Sequence, residues 1–326
     1  MKAWLLDKLG SIDNLRLADV PEPELHSGDV LLEVIYSALN PADRYLAEGA
    51  YPARPPLPHI LGRDGVGRVL AVGSGVSGWQ LDDHALIIRG PVGVERAGTF
   101  AQRVAVPANC LAHVPAGWTL QQAACASLVY LTAWQALTQF GSVGRSVVLI
   151  TGASGGVGVA ATQLASAMGH HVIALSRSSE KAAKLRQLGA AFTADPADPT
   201  WRKSVLAHLG SRRVDLAIDN IGGSGFSELL DVMGMWGKIS VVGRLSGPVP
   251  QFNTASLFFR RLRIGGVAVG SYTAEEAQSA WRHVLETLAG GDQRPLIDSE
   301  FAFDQLPQAF AKLAAGPMGK VLLRVR

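Results

Sequence analysis

The sequence predicts an α/β protein of two domains, one rich in β-strands and loops, the other a doubly wound parallel sheet flanked by helices. Three observations carry this. The chain has 326 residues, more than a single hydrophobic core usually serves. Its texture changes near Leu120, from short strands broken by Pro and Gly to Ala-rich helical stretches alternating with apolar runs. One of those runs, Val147–Ile150, passes straight into a glycine turn and a helical pattern.

The β-rich part shows its strands as short segments at 30–36, 65–72 and 100–106, separated by Pro and Gly. Beyond Leu120, the runs 147–150, 171–175, 214–218 and 239–242 are short, apolar and separated by helical patterns. Such runs mark strands buried on both faces of a parallel sheet. A Pro- and Gly-rich passage after Gly243 leads to a further strand at 262–269, a helix over 274–289 and a last strand at 320–323. No repeat or flexible linker divides the chain. The expectation is tight packing, with the chain crossing back from the second domain to the first: residues 1–122 and 264–326 against residues 123–263.

Composition narrows the function classes. Hydrophobic residues at 48% and charged residues at 17% describe a compact globular protein. A net charge of +3 spread along the chain offers no basic stripe for nucleic acid. Cys110 and Cys125 are too few for a disulfide framework or a four-cysteine zinc site, and suit a reducing compartment, so a cytoplasmic location is expected. The N-terminus meets charge too early for a signal peptide, and no run is long enough to span a bilayer, so no membrane is expected as partner.

The glycine run sits between strand and helix, which is the context that makes it informative. Gly155, Gly156 and Gly158 allow a tight turn, close approach of a pyrophosphate to the main chain, and close packing of helix on strand. The helix N-terminus then offers N–H groups and its positive dipole end to phosphates. This predicts a dinucleotide-binding Rossmann domain, with Ala153, Ser154, Gly155, Gly156 and Val157 against the cofactor. At the end of the next strand stands Ser176-Arg177 rather than an acid for the ribose of NAD. Ser176, Arg177 and Lys181 match a 2′-phosphate, so NADPH is the expected cofactor. The plainer alternative is that Arg177 and Lys181 only decorate a solvated helix.

Further motifs run in a fixed order: Asn40-Pro41-Ala42-Asp43-Arg44-Tyr45, Glu48-Gly49-Ala50-Tyr51-Pro52, Leu61-Gly62-Arg63-Asp64-Gly65, Thr132-Ala133-Trp134 and Asp219-Asn220-Ile221-Gly222-Gly223. With the glycine run they give a sequence that resembles the medium-chain dehydrogenase/reductase superfamily, within it the zinc-independent quinone oxidoreductase branch, over nearly the whole chain. The resemblance implies a GroES-like catalytic domain built from both chain ends, an inserted Rossmann domain, an active-site cleft between them, and a homodimer joined edge to edge through the strand around Gly266–Val269. It also places Asn40 beside nicotinamide or substrate, Thr132 near the carboxamide, and Asn220 and Gly243 along the cofactor.

In the zinc-dependent alcohol dehydrogenases of this superfamily a Cys stands at the position of Asn40, a His at that of Arg63, and a third ligand close to Leu128. An amide, a guanidinium and an aliphatic chain do not replace them, so no metal is expected. Cys125 reads as a small buried hydrophobe and His59 as a loop or core histidine, rather than as stray ligands. Without a Lewis acid the acceptor must be conjugated, a quinone or an α,β-unsaturated carbonyl. The resemblance makes Tyr51 the hydrogen-bond or proton donor, with Tyr45 a second candidate and Asn40 beside them; a Tyr51 merely packed under its proline-rich loop is the alternative. Asp43 is read as ordering this loop, and Lys320 either as facing the cleft or as a solvated charge before the last strand. Two features depart from the bacterial members: Asp195-Pro196 where they often carry a tyrosine, and Ala315-Gly316-Pro317 where they carry an arginine. A 2-enoyl-thioester reductase and, in another class, a non-catalytic NADPH-binding protein are the competing readings.

Overall fold

The computed structural model describes residues 1–141, 144–247 and 252–326. The chain forms two compact units: Met1–Leu128 with Gly270–Arg282 and Arg294–Arg326, and Val129–Val269 with His283–Gln293. The sequence reading breaks the chain after residues 122 and 263; the contacts break it after Leu128 and Val269 and place His283–Gln293 in the second unit, where the reading keeps all of 264–326 in the first. The first shift has a local cause. The Leu120–Ala124 helix packs on the Asp29–Ala38 and Asp64–Val72 strands of the first unit, and the Leu128 N–H donates to Asp64 at 3.2 Å.

The first unit is built on a seven-stranded sheet. In order across it run Ile297–Ala302, Lys320–Arg324, Asp29–Ala38, Asp64–Val72, His84–Ile87 and Leu111–His113, with Arg103–Pro107 also paired to Asp29–Ala38. Asp29–Ala38 pairs with neighbours from both chain ends. This is why the unit closes only when residues more than 280 positions apart have met. A small sheet, Leu15–Asp19, Lys2–Leu6 and His59–Ile60, lies beside it. Its core includes Phe100 edge-on to Phe310, ring centroids 5.9 Å apart.

The second unit holds a six-stranded, all-parallel sheet in the order Phe192–Ala194, His171–Leu175, Val147–Ile150, Val214–Asp219, Met233–Val241, Arg263–Gly266. Counted along the chain this is 3-2-1-4-5-6, the order of a dinucleotide-binding doubly wound sheet. The direction of winding reverses between Val147–Ile150 and Val214–Asp219, and ligands of such sheets bind at the carboxyl ends of the strands there. Val147, Leu149, Ile173, Ala217 and Ile239 fill the core under it.

The edge strand is shorter than expected. It ends at Gly266, and Val269 belongs to a 3-10 turn, Val269–Ser271. Part of the Pro- and Gly-rich passage before it, residues 248–251, lies outside the described residues.

Candidate functional site

In the second unit, the glycine turn is fixed by close approach of backbone to backbone. Gly152 has a φ of +54°, and a Cβ there would lie 2.7 Å from Ile221 Cδ1. A Cβ on Gly158 would lie 2.4 Å from the Gly152 carbonyl oxygen and 2.5 Å from Ala153 Cα. Glycine is thus demanded at 158 by packing of the Gly156–Ala167 helix against the turn at Gly152 and Ala153. Gly155 differs, since its Cβ would meet nothing nearer than the Gly152 oxygen at 3.5 Å. It is the N-cap of that helix, with no side chain capping it. Gly155, where a Cβ would meet only an ordinary contact, and the helix amides that no side chain caps form a cradle that fits a pyrophosphate. Ala153 is buried and bonds Leu175 through its main chain at 3.3 Å, while Ser154, Gly156 and Val157 are half-buried.

The reversal point is tied across its two strands. Thr151 Oγ1 donates to Asp219 Oδ1 at 2.7 Å, and Asn220 Nδ2 donates to the Thr151 carbonyl at 2.8 Å. Asp219 also accepts from the N–H groups of Ile221 and Gly222 at 3.1 and 3.2 Å, which sets the turn after the strand. Asn220 Oδ1 is buried with no partner among the described residues, an acceptor that a bound ligand would satisfy. Gly243 follows the next strand, where a Cβ would meet the Asn220 carbonyl oxygen at 2.5 Å. Thr132 lies buried on the Ser127–Thr138 helix.

Ser176, Arg177 and Lys181 come together at the end of the His171–Leu175 strand and the start of the Ser179–Gln187 helix. Ser178 caps that helix, accepting from the Lys181 N–H at 3.3 Å. Arg177 is exposed, and Ser176 is buried with its hydroxyl 3.3 Å from the Ser178 carbonyl. This group fits a phosphate ester, and the glycine cradle lies at the same end of the parallel sheet. The second unit therefore fits a phosphorylated dinucleotide.

In the first unit a buried polar network replaces what sequence reading left as separate residues. Lys320 is 4% exposed, not solvated. Its ammonium donates to Asn40 Oδ1 at 2.5 Å, to Asp64 Oδ2 at 3.0 Å and to the Leu39 carbonyl at 3.0 Å, so all three of its protons have acceptors. Asp64 is fully buried and also accepts from Asn40 Nδ2, the Ser127 hydroxyl and the Leu128 N–H. Asn40 Nδ2 further donates to the Ala38 carbonyl at 3.2 Å. Both amide hydrogens of Asn40 are thus committed inside the protein.

Asn40 precedes the Pro41–Ala47 helix, whose first turn Pro41 pre-shapes. The Asp43 carboxylate accepts from the Asn40 N–H at 2.9 Å and, at 2.9 Å, from Arg63. Asp43 orders this loop in the way its sequence position suggests. Full burial pushes its carboxyl up, with Arg63 pulling the other way. Burial alone would lower the Arg63 guanidinium, but Asp43 and then Tyr51 hold it above its ordinary value. Arg63 lies over the Tyr51 ring, Cζ 4.8 Å from the centroid, and bonds the Ala42 carbonyl at 3.1 Å. Tyr51 and Tyr45 are both half-buried, Tyr45 on the Pro41–Ala47 helix.

Among the described residues no three His, Cys, Asp or Glu side chains gather as a metal site. Cys125 is buried, and burial pushes its thiol up to about 12. His59 is buried with Nε2 unpartnered among the described residues. Sequence reading missed the Lys320–Asp64 pair and the presence of Arg89 near Tyr51; neither residue carries a local signal of a partner so far along the chain.

Two family models match the chain: the alcohol dehydrogenase GroES-like domain over residues 26–116 and the zinc-binding dehydrogenase over 156–289. A quinone oxidoreductase of Pseudomonas aeruginosa is 32% identical over 281 residues, covering 85% of each chain. The chain belongs to the medium-chain dehydrogenase/reductase superfamily, in its quinone oxidoreductase branch. Its fold joins a GroES-like domain to a Rossmann sheet, and it is an enzyme of the oxidoreductase type found in this superfamily. Among solved medium-chain structures, an NAD-dependent alcohol dehydrogenase superposes at a TM-score of 0.91, with 28% identity and full coverage of both chains. A mycobacterial protein complexed with NADPH superposes at 0.89, with 26% identity and full coverage of both.

Proposed function

We propose that this enzyme is an NADPH-dependent reductase of quinones and α,β-unsaturated carbonyls that works without zinc. The observation that carries the reading is the Asn40–Asp64–Lys320 network. At the positions where zinc-dependent relatives hold metal, an ammonium group already occupies the acceptors of Asn40 and Asp64, and Arg63 is bound to Asp43. These groups do not fit zinc, whose ligands are thiolates, imidazoles and carboxylates free of competing cations. Without a Lewis acid, the acceptor must itself spread the charge it receives, as conjugated carbonyls do.

The division of labour follows from the residues. NADPH, when bound, supplies the hydride. Gly155 and the helix amides would hold the pyrophosphate, Ser176, Arg177 and Lys181 the 2′-phosphate, and Asn220 and Thr132 the nicotinamide end. Tyr51 donates a hydrogen bond to the acceptor oxygen and can deliver its proton there. Tyr45 is the second phenol of the same loop region. Asn40 spends both amide hydrogens on Ala38 and Asp64, and its N–H on Asp43, the carboxylate that holds Arg63 over the Tyr51 ring. The NADPH complex of the mycobacterial relative supports this cofactor.

Initial rates with quinones, enals, enones and a crotonyl thioester, each with NADPH and NADH, test the reading alongside metal analysis. The expected result is turnover of quinones and enones, at least about tenfold higher kcat/KM with NADPH, the discrimination that one charge-assisted contact supplies. Stoichiometric zinc, or a preference for NADH, overturns it. A strong preference for the crotonyl thioester moves the assignment to an enoyl-thioester reductase.

The working form is a cytoplasmic homodimer joined through the Arg263–Gly266 edge. Phe258, Phe259 and Ile264 near that edge are exposed, an apolar surface that association would cover. Sedimentation should give a dimer, and Ile264→Lys should shift it toward monomer.

A further inference from the structure

Two histidines of the second unit face each other at its surface. His171 Nε2 and His208 Nε2 lie 2.9 Å apart, while the ring centroids are 5.1 Å apart. The nitrogens are therefore the near points of the two rings. His171 is half-buried at the start of the His171–Leu175 strand, and its main-chain N–H donates to the Ser146 carbonyl at 2.9 Å. His208 is exposed near the end of the Trp201–Leu209 helix, which Trp201, Val205 and Leu209 anchor in the core. Phe192 stacks on the His208 ring, centroids 4.3 Å apart. Sheet and core fix both backbones, so the meeting of the two nitrogens is set by the fold.

One ring can donate its Nε2 proton to the other. The same spacing suits a chelate. Nitrogens bound at about 2.05 Å in adjacent positions of a square-planar or octahedral ion stand about 2.9 Å apart, against about 3.3 Å for a tetrahedral ion. The match is to Ni²⁺ or Cu²⁺, which imidazole serves well, rather than to tetrahedral zinc. Coordination takes neutral rings: the shared proton moves from Nε2 to Nδ1 of its own ring, and a small turn of each ring aims both lone pairs at the ion. Burial, then His208 and Arg212, hold the His171 imidazole below its ordinary value, which keeps its lone pair available at neutral pH. Among the described residues no group of three His, Cys, Asp or Glu side chains forms a metal site, so water would complete the coordination.

We propose that His171 and His208 form a two-histidine chelate for a divalent ion of the Ni²⁺ or Cu²⁺ class, clipping the His171–Leu175 strand to the Trp201–Leu209 helix. The site is separate from the groups that fit the cofactor. His171 stands at the amino end of the strand whose carboxyl end leads to Ser176.

The full chain, stripped with a chelator, is titrated with Ni²⁺ by calorimetry, and electron paramagnetic resonance is recorded with Cu²⁺. The expected result is one tightly held Ni²⁺ per chain, splitting from two imidazole nitrogens on Cu²⁺, and a melting temperature that rises with Ni²⁺. His171→Gln and His208→Gln should each weaken Ni²⁺ binding at least about tenfold and abolish that rise. His26→Ala, made at an exposed position of the first unit, should change neither. The nitrogen count is read on the unaltered chain, so it decides the matter even if a variant fails to fold. Absence of Ni²⁺ binding, a single nitrogen on Cu²⁺, or an affinity that either Gln variant leaves unchanged overturns the proposal. Tighter binding of Zn²⁺ than of Ni²⁺ and Cu²⁺ overturns the choice of ion.

Discussion

Lys320 shows how much one side chain can hold. A lysine removed from water is stable only when paired and fully hydrogen-bonded, and here its three protons go to Asn40, Asp64 and Leu39. Lys320→Met leaves the Asp64 charge buried without its cation, and should cost about 3–5 kcal/mol of stability, read by urea unfolding. A double-mutant cycle with Asp64→Asn should return a coupling of roughly 0.5–3 kcal/mol; a coupling near zero would mean the pair is not formed. The two glycines of the cofactor turn make a second contrast. Gly158→Ala drives a Cβ into backbone atoms that cannot yield and should destabilise by about 1–3 kcal/mol. Gly155→Ala meets no such obstacle. It should leave the melting temperature nearly unchanged while weakening NADPH binding measured by calorimetry.

At the scale of elements, the proposed choice of cofactor rests on the junction of the His171–Leu175 strand with the helix that follows it. Ser178 starts that helix, and the start sets where Arg177 and Lys181 stand. Arg177→Glu puts a like charge beside a 2′-phosphate. The ratio of kcat/KM for NADPH over NADH should fall by on the order of tenfold or more, with the far-UV spectrum unchanged. A ratio that does not move would return Arg177 to the role of a solvated surface charge.

The whole molecule has a pH dependence written into three histidines. Burial holds the imidazoles of His59, His170 and His171 below their ordinary 6.5. The unfolded chain therefore takes up protons at a higher pH than the folded one. Stability is complete above that value and is lost as pH falls through it. The melting temperature should decline from about pH 7 to about pH 5, and replacing the three histidines with Asn should flatten that slope. A decline on the alkaline side of neutrality instead would contradict the assignment. Among the described residues no helix is long and apolar enough to cross a membrane.

The sequence alone determined the parallel sheet, the glycine turn and the family. These rest on local signals: apolar runs of strand length, a glycine spacing read against its flanking strand and helix, and motifs in fixed order. Asp43 was legible for the same reason, since its partner Asn40 is three residues away. Only the tertiary structure decided the rest. Lys320 meets Asp64 across 256 positions, and Arg89 reaches Gly270 across 181, separations over which no periodicity or spacing carries information. The unit borders moved because the Leu120–Ala124 helix packs on first-unit strands, a choice made by burial rather than by composition. On the proposed zinc-free reading, the residue types Asn40 and Arg63 were legible in the sequence, but their partners were not. The Lys320 ammonium beside Asn40 and Asp64 appeared only once both ends of the chain had folded onto one sheet.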